Sequence, residues 1–222
     1  MFSSKEISPV IEKKFKGIKY CLWDVDLTFY TVAPALEKEF RQIIYRYVAQ
    51  KLDLPFSKAK KAFEKAHQKS KSKTAAFESL GLNKYDIQDA IDSIDKKCYL
   101  KKDQKLIDLF KNLKSYQHVI ISNTTKKSLD ETLKILGLER KNFKVIITKE
   151  DTAHYKPNPE PFLRALALLG AKPQECVSIG DSESKDIVPP KRLGMKTIMV
   201  WGKSKQANAS VPTVYDIQKL LR

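Results

Sequence analysis

The stretch Ile18-Lys19-Tyr20-Cys21-Leu22-Trp23-Asp24-Val25-Asp26-Leu27-Thr28 joins a short, mostly apolar run to a pair of aspartates. Such short runs with few polar residues are typical of strands that are buried on both faces of a parallel sheet. The aspartates stand where this strand is expected to end. In open parallel sheets, ligands bind at the edge that the carboxyl ends of the strands form. The stretch therefore predicts an α/β fold with acidic side chains at the end of its first strand.

Four further apolar or β-branched runs follow downstream, in residues 118–121, 143–147, 176–179 and 196–200. From about residue 102 onward, segments with helical periodicity alternate with these runs. This alternation favours a doubly wound, Rossmann-like parallel sheet. Helix ends are marked by Leu-Gly pairs, in which glycine can take the left-handed conformation that closes a helix: Leu80-Gly81, Leu136-Gly137, Leu169-Gly170 and Leu193-Gly194.

Residues 31–100 show helical patterns only. An apolar stripe runs from Leu36 to Val48, Ser57 is placed to cap a second helix, a third surrounds Phe77, and Asn83 is placed to cap a fourth that ends near Ile94. We therefore predict an α/β core domain formed by residues 1–30 and 101–222, with an α-helical domain of residues 31–100 inserted after the first strand.

The 222 residues carry 42 Lys+Arg against 26 Asp+Glu, a formal net charge of +16. A balance this basic raises the hypothesis of a nucleic-acid partner. However, 36 of the cations are Lys and only 6 are Arg, the residue that base readout favours, and the lysines are spread along the whole chain. A lysine-rich solvated surface explains the charge as well as a polyanionic partner does.

The sequence contains no apolar run near the roughly 18 residues that a membrane span needs. Its first residues lead into no apolar signal-peptide core. Three cysteines are too few for a disulfide framework, so we expect reduced thiols. These observations predict a soluble, cytoplasmic protein with no membrane partner.

Polar side chains follow four successive predicted strands and should therefore meet at one edge of the sheet. Carboxylates such as Asp24, Asp181 and Asp186 are oxygen ligands that suit Mg²⁺. A hydroxyl, an ammonium group and the N–H groups of a helix start beside them suit an anion, and a second aspartate near the first is a candidate proton donor. Together these groups suggest phosphoryl transfer. The residues concerned are Asp24 and Asp26, Ser122 and Asn123, Lys156, and Asp181 and Asp186.

Several other kinds of site are excluded by their missing motifs. The sequence has no Gly-x-x-x-x-Gly-Lys-Ser/Thr loop, no Gly-x-Gly-x-x-Gly turn, no Gly-x-Ser-x-Gly elbow and no Cys/His zinc cluster.

Four ordered motifs between residues 18 and 202 resemble those of the haloacid dehalogenase (HAD) superfamily, and within it the phosphatase-like members with a helical cap. The resemblance implies a Rossmann-like core with an inserted cap that closes over small substrates. Leu27 stands where the family often has Gly, Asn or Asp, and Pro189-Pro190 should break or restart a helix. The motifs are Asp24-Val25-Asp26-Leu27-Thr28, Ser122 after an apolar strand, Lys156 in Lys156-Pro157-Asn158-Pro159-Glu160-Pro161-Phe162, and Gly180-Asp181 with Asp186.

The resemblance also implies a role for each site residue. Asp24 would be the nucleophile and Asp26 the general acid and base. Mg²⁺ would be held by Asp24, the backbone carbonyl of Asp26 and Asp181, with Asp186 in support. Phosphate would be bound by Ser122, Asn123 and Lys156.

These roles predict a Mg²⁺-dependent phosphatase of small phosphate monoesters, sugar phosphates or nucleotides, that works through an aspartyl-phosphate. Asp26 favours phosphate chemistry, because the family's dehalogenases have no aspartate there. The partner is then a small phosphorylated metabolite. A phosphomutase of the same superfamily is the alternative within this chemistry, and a basic nucleic-acid-binding protein on the same scaffold is the alternative from another class. The sequence disfavours the latter because every catalytic position is filled.

Overall fold

A computed structural model describes residues 14–31, 34–70, 73–83 and 95–221 of the chain. The fold class is confirmed, since six parallel strands form one sheet and helices follow the first strand. The predicted fourth helix of the insert, between Asn83 and Ile94, lies outside the described residues. The strands are β1 (Tyr20–Trp23), β2 (Gln117–Ile121), β3 (Val145–Ile147), β4 (Cys176–Gly180), β5 (Lys196–Val200) and β6 (Ala209–Val211).

The strand order is β3-β2-β1-β4-β5-β6, so the first strand lies in the interior of the sheet. Trp23 at the end of β1 is in register with Ile120 of β2 and Ile179 of β4. The backbone N–H of Asp24 donates to the carbonyl of Ile179 at 2.9 Å, which extends this pairing one residue past the strand. The chain after β1 therefore leaves the sheet between the ends of β2 and β4.

Both faces of the sheet are covered by apolar side chains. Cys21 and Trp23 belong to one buried cluster with Phe29 and Phe110, whereas Leu22 between them belongs to a second cluster. Successive residues of a strand point to opposite faces, so this division places one cluster on each side. The structure thus explains why the strands are apolar along nearly their whole length.

The helices that cover the sheet alternate with the strands as predicted. Gly137 and Gly170, both with positive φ, close two of them in the left-handed conformation. These helices are α4 (Gln104–Asn112), α5 (Lys126–Leu136), α6 (Glu160–Leu169) and α7 (Val188–Arg192), preceded in the chain by α1 (Pro34–Leu52), α2 (Phe56–Ser70) and α3 (Lys73–Ser79). Short 3-10 turns lie at Lys96–Cys98, Arg140–Asn142, Pro173–Glu175 and Val214–Lys219.

The chain divides into two compact units, Met1–Thr31 with Leu100–Arg222 and Val32–Tyr99. In the second unit, Ile44 of α1, Phe63 of α2 and Phe77 of α3 share a buried apolar cluster. That the helical residues act as a cap domain stays a prediction. In the part of the chain that the structure describes, every helix is too short or too polar to span a membrane.

A buried hydrogen bond between Trp23 and His118 joins β1 to β2. The indole N–H of Trp23 donates to Nδ1 of His118 at 3.0 Å, and Nε2 of His118 lies 3.2 Å from the carbonyl oxygen of Leu113. Because Nδ1 accepts a hydrogen bond, the ring proton of the neutral histidine is on Nε2, which donates to Leu113. Burial lowers the pKa of His118 to about 4, since a charged ring would lose its hydration.

This low pKa predicts a loss of stability in mild acid. The unfolded chain takes up a proton on His118 near pH 6.5, whereas the folded protein does so only near pH 4. The unfolded state therefore gains relative stability as the pH falls through this window. Between pH 7 and pH 5, His118 should lower the free energy of unfolding by about 2 kcal/mol. Urea unfolding at the two pH values measures this change.

The variant His118→Phe should remove this part of the pH dependence, although it lowers stability at both pH values by leaving the Trp23 N–H without its acceptor. His154→Gln is the matched control, because the ring of His154 is exposed and its Nδ1 pairs with the side chain of Glu160 at the surface. An unchanged pH slope in His118→Phe would show that His118 is not its source.

Candidate active site

The predicted site residues stand at the carboxyl ends of adjacent strands. Asp24 follows β1, Ser122 follows β2 and Asp181 follows β4, while Lys156 lies in the loop between β3 and α6. These strands are neighbours in the sheet, so their ends lie side by side. Side chains that are far apart in the sequence are thereby brought to one place.

A buried lysine joins two of these aspartates. The Nζ of Lys156 donates to Oδ1 of Asp24 at 2.8 Å and to Oδ1 of Asp186 at 2.6 Å. Lys156 is only 3% exposed. Burial alone would lower the pKa of its ammonium group, but the two carboxylates outweigh that effect and raise the pKa above its ordinary value. Lys156 therefore stays charged and holds the two carboxylates together.

Three carboxylates converge at this point. Asp24, Asp181 and Asp186 each place one oxygen so that all three oxygens lie within 4.8 Å of one another. Burial, together with repulsion from the neighbouring carboxylates, raises the pKa of Asp24 and of Asp181 above the ordinary range, although Lys156 works against the rise. One lysine does not balance three carboxylates. A set of hard oxygen donors with excess negative charge fits a divalent cation such as Mg²⁺.

Thr28, which is not among the predicted site residues, fixes Asp24 from the other side. The hydroxyl of Thr28 donates to Oδ2 of Asp24 at 2.8 Å and lies 3.3 Å from Oδ1 of Asp181. Thr28 is 0% exposed. Both oxygens of Asp24 are thus held, one by Lys156 and one by Thr28. The position of Thr28 four residues after Asp24 is the sequence feature that indicates this contact, because the turn at 25–29 brings the two side chains together.

Asp186 is held by a tight turn that follows β4. Its Oδ2 accepts a hydrogen bond from the backbone N–H of Ser182 at 3.0 Å, and its carbonyl accepts one from the hydroxyl of Ser178 at 2.8 Å. The turn is a π-helix, Glu183–Ile187, and α7 begins directly after it. The helix thus restarts near Pro189 and Pro190, which lie in its first turn, where backbone N–H groups have no helical acceptor.

Gly180 allows this turn to close over the end of β4. A Cβ atom at Gly180 would lie 2.4 Å from Cβ and from Cγ of Asp186, a separation that packed atoms do not reach. Asp186 could not keep its contact with Lys156 beside any larger residue. Here glycine is needed for close approach and not for its backbone angles.

Ser122 and Asn123 follow β2. The backbone N–H of Thr124 donates to the hydroxyl oxygen of Ser122 at 3.3 Å, which leaves the hydroxyl hydrogen of Ser122 for an acceptor. The side-chain amide of Asn123 instead bonds the backbone of Lys156, with Nδ2 donating to its carbonyl at 2.8 Å and Oδ1 accepting from its N–H at 3.0 Å. Asn123 therefore positions Lys156, and its contact with phosphate stays a prediction.

Asp26 lies in the turn after β1 and is separated from Asp24 by one residue. Its Oδ1 accepts a hydrogen bond from the hydroxyl of Tyr30 at 2.6 Å. Leu27, which follows, has a φ of 65°. This left-handed conformation costs a residue with a side chain about 1–2 kcal/mol, which agrees with the Gly, Asn or Asp that the resembled family often has there. The side chain of Leu27 packs against the core, and this burial offsets part of the conformational cost.

The family model described as "Haloacid dehalogenase-like hydrolase" matches residues 21–200. The chain therefore belongs to the haloacid dehalogenase-like hydrolases, and the resemblance drawn from its motifs is confirmed. The predicted class of enzyme, a hydrolase, is confirmed with it.

Individual relatives match the chain to different extents. A protein named pyrophosphatase PpaX from Bacillus cereus (strain AH820) is 39% identical over 85 residues, which is 38% of this chain and 38% of that protein. A HAD phosphatase from Thermococcus onnurineus is 24% identical, with a TM-score of 0.65 over 92% of this chain and 98% of that one. The HAD-hydrolase YfnB from Bacillus subtilis, solved with bound magnesium, is 18% identical, with a TM-score of 0.57 over 92% and 99%. The two structural matches show the same fold.

The close approach at Gly180 predicts that Gly180→Ala displaces Asp186 and breaks its bond to Lys156. We expect a fall in hydrolytic rate of at least about tenfold, since a misplaced carboxylate at such a site commonly costs this much. Magnesium affinity should fall with it, as measured by isothermal titration calorimetry. Gly202→Ala is the control, because a Cβ there would meet Cε of Met199 at 3.4 Å and the carbonyl oxygen of Val200 at 4.0 Å, both ordinary van der Waals contacts. Equal behaviour of the two variants would refute the steric argument.

Proposed function

We propose that this haloacid dehalogenase-like hydrolase is a Mg²⁺-dependent phosphatase that hydrolyses small phosphate monoesters, such as sugar phosphates or nucleotides, through an aspartyl-phosphate on Asp24. One observation carries the proposal: the buried ammonium group of Lys156 lies 2.8 Å from Asp24 and 2.6 Å from Asp186 within a cluster of three carboxylates. Such a cluster offers a nucleophile, a cation site and a fixed positive charge together, which are the parts that phosphoryl transfer needs.

The first chemical step would form the covalent intermediate. A carboxylate oxygen of Asp24 attacks phosphorus as the bond from phosphorus to the ester oxygen breaks, and the carboxyl of Asp26 gives its proton to that oxygen to release an alcohol. Lys156 and the hydroxyl of Ser122 would stabilise the charge on the phosphoryl oxygens. Lys156 and Thr28 keep Asp24 oriented for this attack.

The second step would return the enzyme to its starting state. Water attacks the phosphorus of the aspartyl-phosphate, Asp26 takes the proton from that water, and the bond between Asp24 and phosphorus breaks to release inorganic phosphate. Asp26 thus regains the proton that it lost in the first step. The same residue acts as acid and then as base.

Asp24, Asp181 and Asp186, with the backbone carbonyl of Asp26, would hold Mg²⁺, which when bound supplies positive charge beside the transferring group. The chemistry of the donor set supports this assignment, because all three side chains are carboxylates. The magnesium found in the related YfnB structure agrees with it.

The class of substrate is part of the proposal. The matched segment of the Bacillus cereus relative spans 38% of that protein, so its name adds pyrophosphate to the substrates to be tested and does not decide among them. We also propose that the helical residues 31–100 form a cap domain whose side chains select the substrate. The phosphomutase remains the alternative, and the geometry of the described residues gives it no separate support.

The proposal predicts that the protein releases phosphate from 4-nitrophenyl phosphate in the presence of Mg²⁺, and that both EDTA and Asp24→Asn abolish this release. Loss of the nucleophile should reduce kcat by at least about a thousandfold. The matched control is Asp108→Asn, an exposed aspartate on α4 whose side chain pairs with Lys111. Thermal unfolding of each variant checks that the fold is intact.

Activity that survives both treatments would contradict the proposal. Sugar phosphates, nucleotides and pyrophosphate then serve as a panel to identify the substrate. Isomer formation without phosphate release on hexose phosphates would instead identify the phosphomutase.

A further inference from the structure

The hydroxyl of Tyr30 contacts Asp26, the candidate acid, and the ring that carries this hydroxyl is fixed in the core. Its ring belongs to the buried cluster that contains Trp23 and Phe29, and the residue is only 7% exposed. Its hydroxyl donates to Oδ1 of Asp26 at 2.6 Å. The chain between them is itself fixed, because the backbone N–H groups of Thr28 and Phe29 both donate to the carbonyl of Val25, at 3.1 and 2.9 Å. The hydroxyl therefore has little freedom to move away from Asp26.

This contact makes the two oxygens of the Asp26 carboxyl unequal. Oδ1 accepts the hydroxyl hydrogen of Tyr30, so a proton carried by the carboxyl is favoured on Oδ2. The same bond restricts rotation of the carboxyl about its Cβ–Cγ bond. A proton donor acts well only when its hydrogen lies within hydrogen-bond reach of the oxygen that receives it. A fixed carboxyl plane with the proton on one oxygen meets this requirement.

We propose that Tyr30 is a positioning residue that orients Asp26 for protonation of the departing oxygen, and that it equips the enzyme for phosphate esters of ordinary alcohols. The inference rests on the proposed function, in which Asp26 is the acid. In the assisted step the phosphorus–oxygen bond breaks, Asp24 forms its bond to phosphorus, and the proton of Asp26 moves to the alkoxide oxygen, which leaves as an alcohol. Tyr30 keeps its own proton throughout.

The dependence on the leaving group distinguishes this role from a structural one. A 4-nitrophenolate leaves without protonation, whereas an alkoxide needs a proton as it departs. 4-Nitrophenyl phosphate and benzyl phosphate both carry one aromatic ring but differ in this respect. For each substrate, kcat/KM reports the steps up to the first release of product, which include transfer to Asp24.

The variant Tyr30→Phe keeps the ring in the core and removes only the hydroxyl. We expect kcat/KM for benzyl phosphate to fall by about tenfold, the effect of losing one hydrogen bond to a carboxyl group, while kcat/KM for 4-nitrophenyl phosphate changes by less than about twofold. The matched control is Tyr215→Phe, which removes the hydroxyl that donates to Asp103 at 2.5 Å. This control should change neither value.

A double variant shows whether Tyr30 acts through Asp26. Asp26→Asn should lower kcat/KM for benzyl phosphate further than Tyr30→Phe does, and adding Tyr30→Phe to Asp26→Asn should cause no additional loss. The role of Tyr30 would be overturned by an additive loss in the double variant, or by a Tyr30→Phe variant that loses activity equally on both substrates or keeps unchanged kinetics. It would also be overturned if the native enzyme did not act on benzyl phosphate.

These outcomes are separable from failure of the proposed function. If the unaltered protein releases no phosphate from 4-nitrophenyl phosphate with Mg²⁺, the phosphatase proposal itself is wrong. If that release occurs and Asp26→Asn impairs benzyl phosphate while Tyr30→Phe does not, only the inference about Tyr30 is wrong.

Discussion

The site depends on one electrostatic constraint, the need to keep three carboxylates together where water is scarce. Negative charges in a buried cluster repel one another and are poorly solvated, so each tends to take up a proton. Lys156 counters this tendency at two of them with direct ion pairs. Removing one partner of a buried ion pair generally costs about 3–5 kcal/mol, because the remaining charge is left without compensation. The loop that carries Lys156 therefore contributes to the stability of the fold as well as to the candidate site.

The surrounding structure serves to fix this arrangement. The backbone of Lys156 is held by both atoms of the Asn123 amide, so the loop after β3 is bound to the end of β2. Asp186 is held by the backbone of Ser182, and Asp24 by Thr28 and by its own backbone bond to β4. Each charged group thus has a neutral neighbour that orients it. Rigid, oriented dipoles of this kind need no rearrangement when charge develops during a reaction.

Much of this architecture follows from local patterns in the sequence. Apolar runs predicted five strands, and the polar groups that follow four of them are brought to one edge of the sheet. The apolar runs do not predict β6, because Ala209-Ser210-Val211 is short and only one of its residues is buried. The positions of Thr28, Tyr30 and Gly180 depend on distances across a turn or between a strand and the turn after it. Periodicity carries no information about such distances, so neither the side chain of Asn123 nor the hydroxyl of Tyr30 could be assigned a bonding partner beforehand.

β5 and β6 carry none of the candidate catalytic groups, but their place in the strand order affects β4. β5 and β6 lie beyond β4, and their pairing makes β4 an interior strand. Without β5, the backbone N–H and C=O groups along that side of β4 would be unpaired, and such an edge can add strands from other molecules. Pairing with β5 satisfies these groups along β4, a strand that leads to Asp181 and is buried at every residue. The edge on this side of the sheet is instead β6, a strand of three residues that offers few unpaired groups to another chain.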